Sequence, residues 1–288
     1  MKWILICPWA RPSVPHLGET SSLATLPLLG ESVLQYWLSH LVLNGAREVM
    51  ILADAQPELI RAVAGDGARW GLALRVVEES RELTAAQTLL KYQRELDPAN
   101  SQNRIVLLDR LPDLQGQPLF QNYETFFNAL VAFMPHARTP DRVGVRELQP
   151  GVWGGLNCHV STDAQLEGPC WLGKNVFVGS KAVIGPNTII EDGAFIDSMA
   201  SISDSLVGAD TYVGQCTEIT GSLAFGDTLI KTASGTAIKV PDQFVMCGLR
   251  RPRAVPAANW LERLSDLCVK NKSEASLLWK HFLMNRES

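Results

Sequence analysis

An aliphatic side chain returns at every sixth position from Val160 onward: Val160, Leu166, Leu172, Val178, Ile184, Ile190, Ile196 and Ile202. Four residues after most of them comes a compact side chain: Ala164, Cys170, Val176, Ala182, Thr188, Ala194 and Ala200. Glycine directly follows Leu172, Val178 and Ile184. A period of six fits neither the 3.6 of a helix nor the 2 of a half-buried strand. It is a structural repeat. The spacing predicts a parallel β-helix with six-residue faces, each aliphatic pointing into a narrow interior and stacking on the residue one coil earlier. Glycine and small residues let the chain turn between faces. The register slips by one after Ile202 and resumes at Val207, Val213, Ile219 and Phe225. Twelve such faces at three per coil predict four coils.

Ahead of the repeat the pattern changes. Trp3–Cys7, Glu48–Ala53, Leu72–Val77 and Arg104–Asp109 read as strands, while Glu31–Asn44, Pro57–Val63, Leu83–Leu96 and Tyr123–Phe133 read as helices. Alternation of this kind predicts a doubly wound, mostly parallel sheet. Ligands of such sheets bind beyond the carboxyl ends of the strands. The loops after Cys7, Ala53, Val77 and Leu108 are therefore the places to look. Pro135–Asp141 reads as a linker. Beyond the coil, Ala257–Val269 and Ser273–Met284 carry apolar residues at helical spacing. The expected organisation is an α/β domain over 1–142, a β-helix over 150–240 and a helical tail over 241–288.

Bulk properties narrow the functional classes. With 288 residues the chain has room for about two domains. A net charge of −4 leaves no electrostatic footprint for nucleic acid or an anionic membrane. No apolar run approaches the ~20 residues of a membrane span, and Met1–Cys7 reads as a buried strand rather than a signal peptide. Six scattered cysteines contain no C-x-x-C pair, which points to free thiols, a reducing compartment and a cytoplasmic location.

The coil pattern resembles the hexapeptide-repeat family, and that resemblance implies a left-handed β-helix. The order of segments is similar to the sugar-1-phosphate nucleotidyltransferases, in which an α/β nucleotide-binding half precedes such a coil. Met1–Cys7 looks like their opening strand, Leu26-Pro27-Leu28-Leu29-Gly30 with Glu31–Tyr36 like their loop and first helix, and Gly45–Val49 like the turn into their second strand. Thr84-Ala85-Ala86 sits where they carry a Gly-Thr-Ala run, and Val106-Leu107-Leu108-Asp109 where a strand ends in a metal-holding aspartate. The resemblance implies nucleotide contacts from Pro8, Trp9, Ala10 and Thr84. It implies catalytic roles for Arg11 and Asp109, with Asp109 also a ligand of Mg²⁺ if the chain is active.

The chain also departs from that family. Its first loop, Cys7-Pro8-Trp9-Ala10-Arg11-Pro12-Ser13-Val14-Pro15, has no glycine where the family bends its backbone around phosphate. Three prolines remove amide donors from the same loop. Arg11 stands near the family's arginine, while the family's lysine would fall near Leu23. The sugar-binding part of the first domain is missing, and Asp113 is the nearest acidic residue to join Asp109 in a metal site. A strand-end aspartate also has the plainer reading of a loop or cap residue.

Other residues point elsewhere less firmly. Some hexapeptide-repeat proteins are acyltransferases that use a coil histidine as general base. His159 lies ahead of the first expected coil and reads as a surface or capping residue, His16 as solvated or structural, and His40 as packing. Trp153 and Trp171 read as plugs for the mouth of the coil. Arg250, Arg251 and Arg253 form a basic turn suited to a phosphate or to solvent.

The leading expectation is a divergent nucleotidyltransferase-like protein of sugar-nucleotide metabolism, with catalysis weakened or lost. It would bind a nucleotide, a sugar phosphate or a protein partner, as a homo-oligomer or a regulatory subunit. The alternatives are an active Mg²⁺-dependent transferase and a hexapeptide-repeat acyltransferase.

Overall fold

The computed structural model describes residues 1–17, 22–96, 104–114, 116–137, 142 and 144–249. Four strands open the fold: β1 (Lys2–Cys7), β2 (Glu48–Ala53), β3 (Ala73–Glu78) and β4 (Ile105–Leu107). They form a wholly parallel sheet in the order β3-β2-β1-β4. Side chains alternate across it as a pleat requires. Leu5, Cys7, Val49, Ile51 and Ala53 join one apolar cluster, and Ile4, Ile6, Met50 and Leu52 another. Helices α1 (Val33–Leu43), α2 (Pro57–Ala64) and α4 (Tyr123–Phe133) supply side chains to the first cluster. Helix α3 (Ala85–Tyr92) supplies Tyr92 to the second.

Local chemistry sets the helix ends. Ser32 caps α1 through a reciprocal box with Gln35, and Asn122 caps α4 by accepting from the Thr125 amide at 2.7 Å. Helix α3 is shorter than the expected Leu83–Leu96, because Thr84 takes the capping position and the regular turns end at Tyr92.

The second half forms three sheets that the chain visits in rotation, an arrangement compatible with a β-helix; pairing is parallel from coil to coil, and antiparallel strands close the ends of two of the sheets. Val160, Val178, Ile196 and Val213 stack in register on one sheet. Leu166, Ile184, Ile202 and Ile219 stack on the next. On the third, Gly154, Leu172, Ile190, Val207 and Ala224 line up. The Lys174 amide bonds Asp192 18 residues on, whereas Asn187 bonds Asp204 17 residues on, which marks the slip read in the sequence. Phe225 was expected to point inward, but Ala224 does so, after a second slip. The Ser222 amide donates to Ser205 Oγ at 3.1 Å, so the corner shortened at Ser205 is repeated one coil later. Phe225 packs instead against the larger cluster of the first half.

That third sheet is apolar on both faces. Between its inward residues stand Trp171, Ile189, Leu206 and Leu223, buried in the same cluster as α1 and α4. Runs such as Cys170-Trp171-Leu172 and Thr188-Ile189-Ile190 are what a doubly covered parallel sheet demands. Trp171 is therefore part of the seam with the first half, not a plug for the mouth of the coil. Met1–Leu249 packs as one compact unit, continuous across the expected boundary between 142 and 150. Of the expected helical tail, the described part holds a strand, Met246–Gly248; the two expected helices and the basic turn Arg250, Arg251 and Arg253 lie outside the described residues.

A hydrogen-bonded clasp crosses the seam. Glu191, fully buried, accepts from the amides of Leu29 and Gly30 at 3.2 and 3.4 Å. Both residues have positive φ, 52° and 85°, which turns consecutive amides toward one anion. Arg142 grips the same turn from its carbonyls, at 2.6 Å to Leu29 and 2.9 Å to Leu28, with its guanidinium over the Phe133 ring. Burial, and then the neighbouring Asp192, push the Glu191 carboxyl up to about 7 despite these partners.

Two outcomes follow from the packing. A methyl group at Gly185, where φ is +111°, would meet the Glu167 carbonyl oxygen of the coil beneath. Gly185→Ala should cost about 3 kcal/mol of unfolding free energy in urea titration. Because the folded carboxyl of Glu191 lies above its ordinary 4.5, its contribution is fully present below that pH and is lost as pH rises through about 7. The loss is on the order of 3 kcal/mol for this group alone, and Glu191→Gln should flatten that part of the stability profile between pH 5 and 8.

Candidate functional site

The chain steps outward from β1 to β3 and then returns to place β4 on the other side of β1. The strand order thus reverses between β1 and β4, the position where open α/β sheets hold ligands. Arg11 follows β1 and Asp109 follows β4, and the Arg11 Nη2 donates to Asp109 Oδ2 at 3.3 Å across this switch point.

The loop bearing Arg11 is a packed turn. The Val14 amide closes on the Arg11 carbonyl at 3.0 Å, and the Leu23 amide donates to the Trp9 carbonyl at 3.2 Å. Ser13 Oγ donates to the Phe120 carbonyl at 2.6 Å, and Val14 and Leu17 are buried beneath. Pro8 is buried, Trp9 half-buried and Ala10 exposed. Prolines and apolar anchors shape this loop by burial rather than by glycine freedom.

Arg11 is the hub of the site. Its Nη1 and Nη2 pair with the two oxygens of Glu82, the second bond at 2.8 Å, in a two-pronged fork. Glu82 sits in the loop between β3 and α3, so one guanidinium ties together the ends of β1, β3 and β4. The bond from Glu82, then its charge and that of Asp109, hold the Arg11 guanidinium above its ordinary range against the opposing effect of burial. Burial raises Asp109, opposed by the Arg11 charge. Burial likewise raises Asp54, opposed by backbone amides at Asp54 and Trp9. Asp54 Oδ1 and Asp109 Oδ1 are both buried without a hydrogen-bond partner. Cys7, Asp54, Arg81 and Glu82 line a closed cleft at these strand ends, with no room inside it for a water molecule. Next to it, Glu79 is buried with Lys91 at 2.8 and 2.6 Å and the Tyr92 hydroxyl; burial raises its carboxyl, but these partners bring it below its ordinary value.

The remaining sequence candidates have other work. Thr84 is exposed and caps α3, accepting from the Gln87 amide at 3.3 Å. Asp113 accepts from the Tyr36 hydroxyl at 2.8 Å rather than joining Asp109. His159 lies inside the first coil, not ahead of it, because its strand pairs with Phe177. Its ring stacks on Phe177 at 5.2 Å, continuing through Phe195 to Tyr212. His40 packs against Tyr36 and Trp37, and the His16 amide donates to the Tyr123 hydroxyl.

Sequence reasoning missed Glu82, Arg81 and Asp54. Asp54 and the Arg81–Glu82 pair lie in two of the loops singled out as ligand-facing, and a half-buried arginine in a loop without glycine requires a counter-ion. Asp109 Oδ2 faces the Arg11 guanidinium, and among the described residues no group of three His, Cys, Asp or Glu is placed to hold a metal ion. Among the described residues no helix is long and apolar enough to cross a membrane. No family model matches this chain.

Arg11→Ala would strand Glu82, Asp109 and Asp54 together. Since Arg11 opposes the upward shifts of Asp54 and Asp109, its removal raises both further, and the folded state then gains stability as pH falls. The variant should be less stable by about 2 kcal/mol at pH 8, with the deficit shrinking toward pH 5 in denaturant titrations.

Proposed function

We propose that this chain is a non-catalytic relative of the sugar-1-phosphate nucleotidyltransferases, an α/β layer docked on a left-handed β-helix. In this reading it works in the cytoplasm by binding a nucleotide or sugar phosphate, without turning it over. One observation carries the reading. Arg11, the cation at the switch point, has its fork committed to Glu82 and a further bond to Asp109. Phosphoryl transfer needs positioned cations and metal ions against the charge of the reacting phosphate. A cation already neutralised by two carboxylates supplies little of that field.

An active transferase draws its support from the meeting of Arg11 and Asp109 at the switch point. One assay separates the two readings. Pyrophosphate release from nucleoside triphosphates and sugar 1-phosphates with Mg²⁺ should stay at the protein-free background. Turnover that disappears in Asp109→Asn would establish the transferase instead.

A further inference from the structure

The fork of an arginine fits a carboxylate and a phosphate in the same way, through two parallel N–H···O bonds to a pair of oxygens. In this chain the pair is supplied internally by Glu82. Three features make that contact more than a cross-link. Glu82 and Arg11 are 30% and 20% exposed at their side chains, so water and small anions reach the pair. Arg11 keeps a second anchor in Asp109, itself 16% exposed, which holds the guanidinium at the switch point if Glu82 leaves. Arg81 adjoins Glu82 in the same loop, lines the cleft that Glu82 also lines and is exposed, so displacing the Glu82 side chain opens space beside Arg81 and frees the fork of Arg11.

We propose that Glu82 is a built-in competitor for phosphate: its carboxylate fills the anion position on Arg11, and phosphate groups bind there by displacing it. The lock rests on the reading of this chain as a phosphate-binding protein and adds the regulation of that site. Its energetic content is an exchange of one charge-assisted pair for another. Asp109 stays bonded to Arg11, and a phosphate in the vacated position is held by Arg11 and Arg81 jointly.

The test is calorimetric titration of inorganic pyrophosphate, without metal, into the full chain and its variants. Glu82→Gln keeps the shape and removes the charge. Glu82→Asp is shorter by one methylene, which draws its carboxylate back from the Arg11 donors, and serves where Glu82→Gln does not fold by circular dichroism. Either variant should bind pyrophosphate at least tenfold more tightly than the wild type, and adding Arg11→Ala should abolish the gain. Equal binding by wild type and variants, or a gain that survives Arg11→Ala, overturns the lock. Wild-type turnover in the pyrophosphate-release assay would sink the non-catalytic reading and leave this comparison standing. An inert wild type with no gain in the variants would sink the lock alone.

Discussion

The structure depends on one sheet of the coil being apolar on both faces. Every third face of the β-helix must satisfy the interior stack of Leu172, Ile190, Val207 and Ala224 and also present Trp171, Ile189, Leu206 and Leu223 to the helices of the first half. A four-stranded parallel sheet needs cover on both sides. Here α3 covers one side, and the other is closed by α1, α2 and α4 lying in a core that the coil completes. Dispersion and area burial along this seam are non-directional. The Glu191–Arg142 clasp adds direction, fixing the Leu28–Gly30 turn from its amide and carbonyl sides at once.

That seam bears on the site. The turn held by Glu191 leads directly into α1, and α1 in turn donates from Trp37 Nε1 to the Leu108 carbonyl at 3.0 Å, beside Asp109. The positions of Asp109, and of Arg11 bonded to it, are thus tied back to the coil through packed and hydrogen-bonded elements. The strand-end loops are closed around their own charges: Arg11 with Glu82 and Asp109, and Lys91 with Glu79. Such pairing makes the strand-end loops a rigid cluster in the ligand-free protein.

Much of this was readable in the residues, for physical reasons. The six-residue period is plain because interior positions stack on one another coil after coil and tolerate only aliphatic side chains. The strands Glu48–Ala53 and the helix Tyr123–Phe133 stand as expected because their apolar pattern and their caps agree. The second slip escaped notice because Phe225 is as apolar as an interior residue, and only the stacked corners at Ser205 and Ser222 reveal it. Glu191 leaves a mark in the sequence. It follows Ile190 at the place where Gly173, Gly179 and Gly185 follow their aliphatics, and a charge in that position requires a partner outside the coil. Glu82 left a fainter one, since nothing in a single sequence pairs an arginine at 11 with a carboxylate at 82.

The central claim is that the Arg11 guanidinium is held by internal carboxylates, and side-chain NMR of the ¹⁵N-labelled protein tests it directly. With Arg11 assigned by its loss in Arg11→Lys, the account predicts hindered rotation, with Nη protons resolved and exchanging slowly with water in the ligand-free protein. A single averaged, rapidly exchanging Nη signal would show a free guanidinium and contradict it.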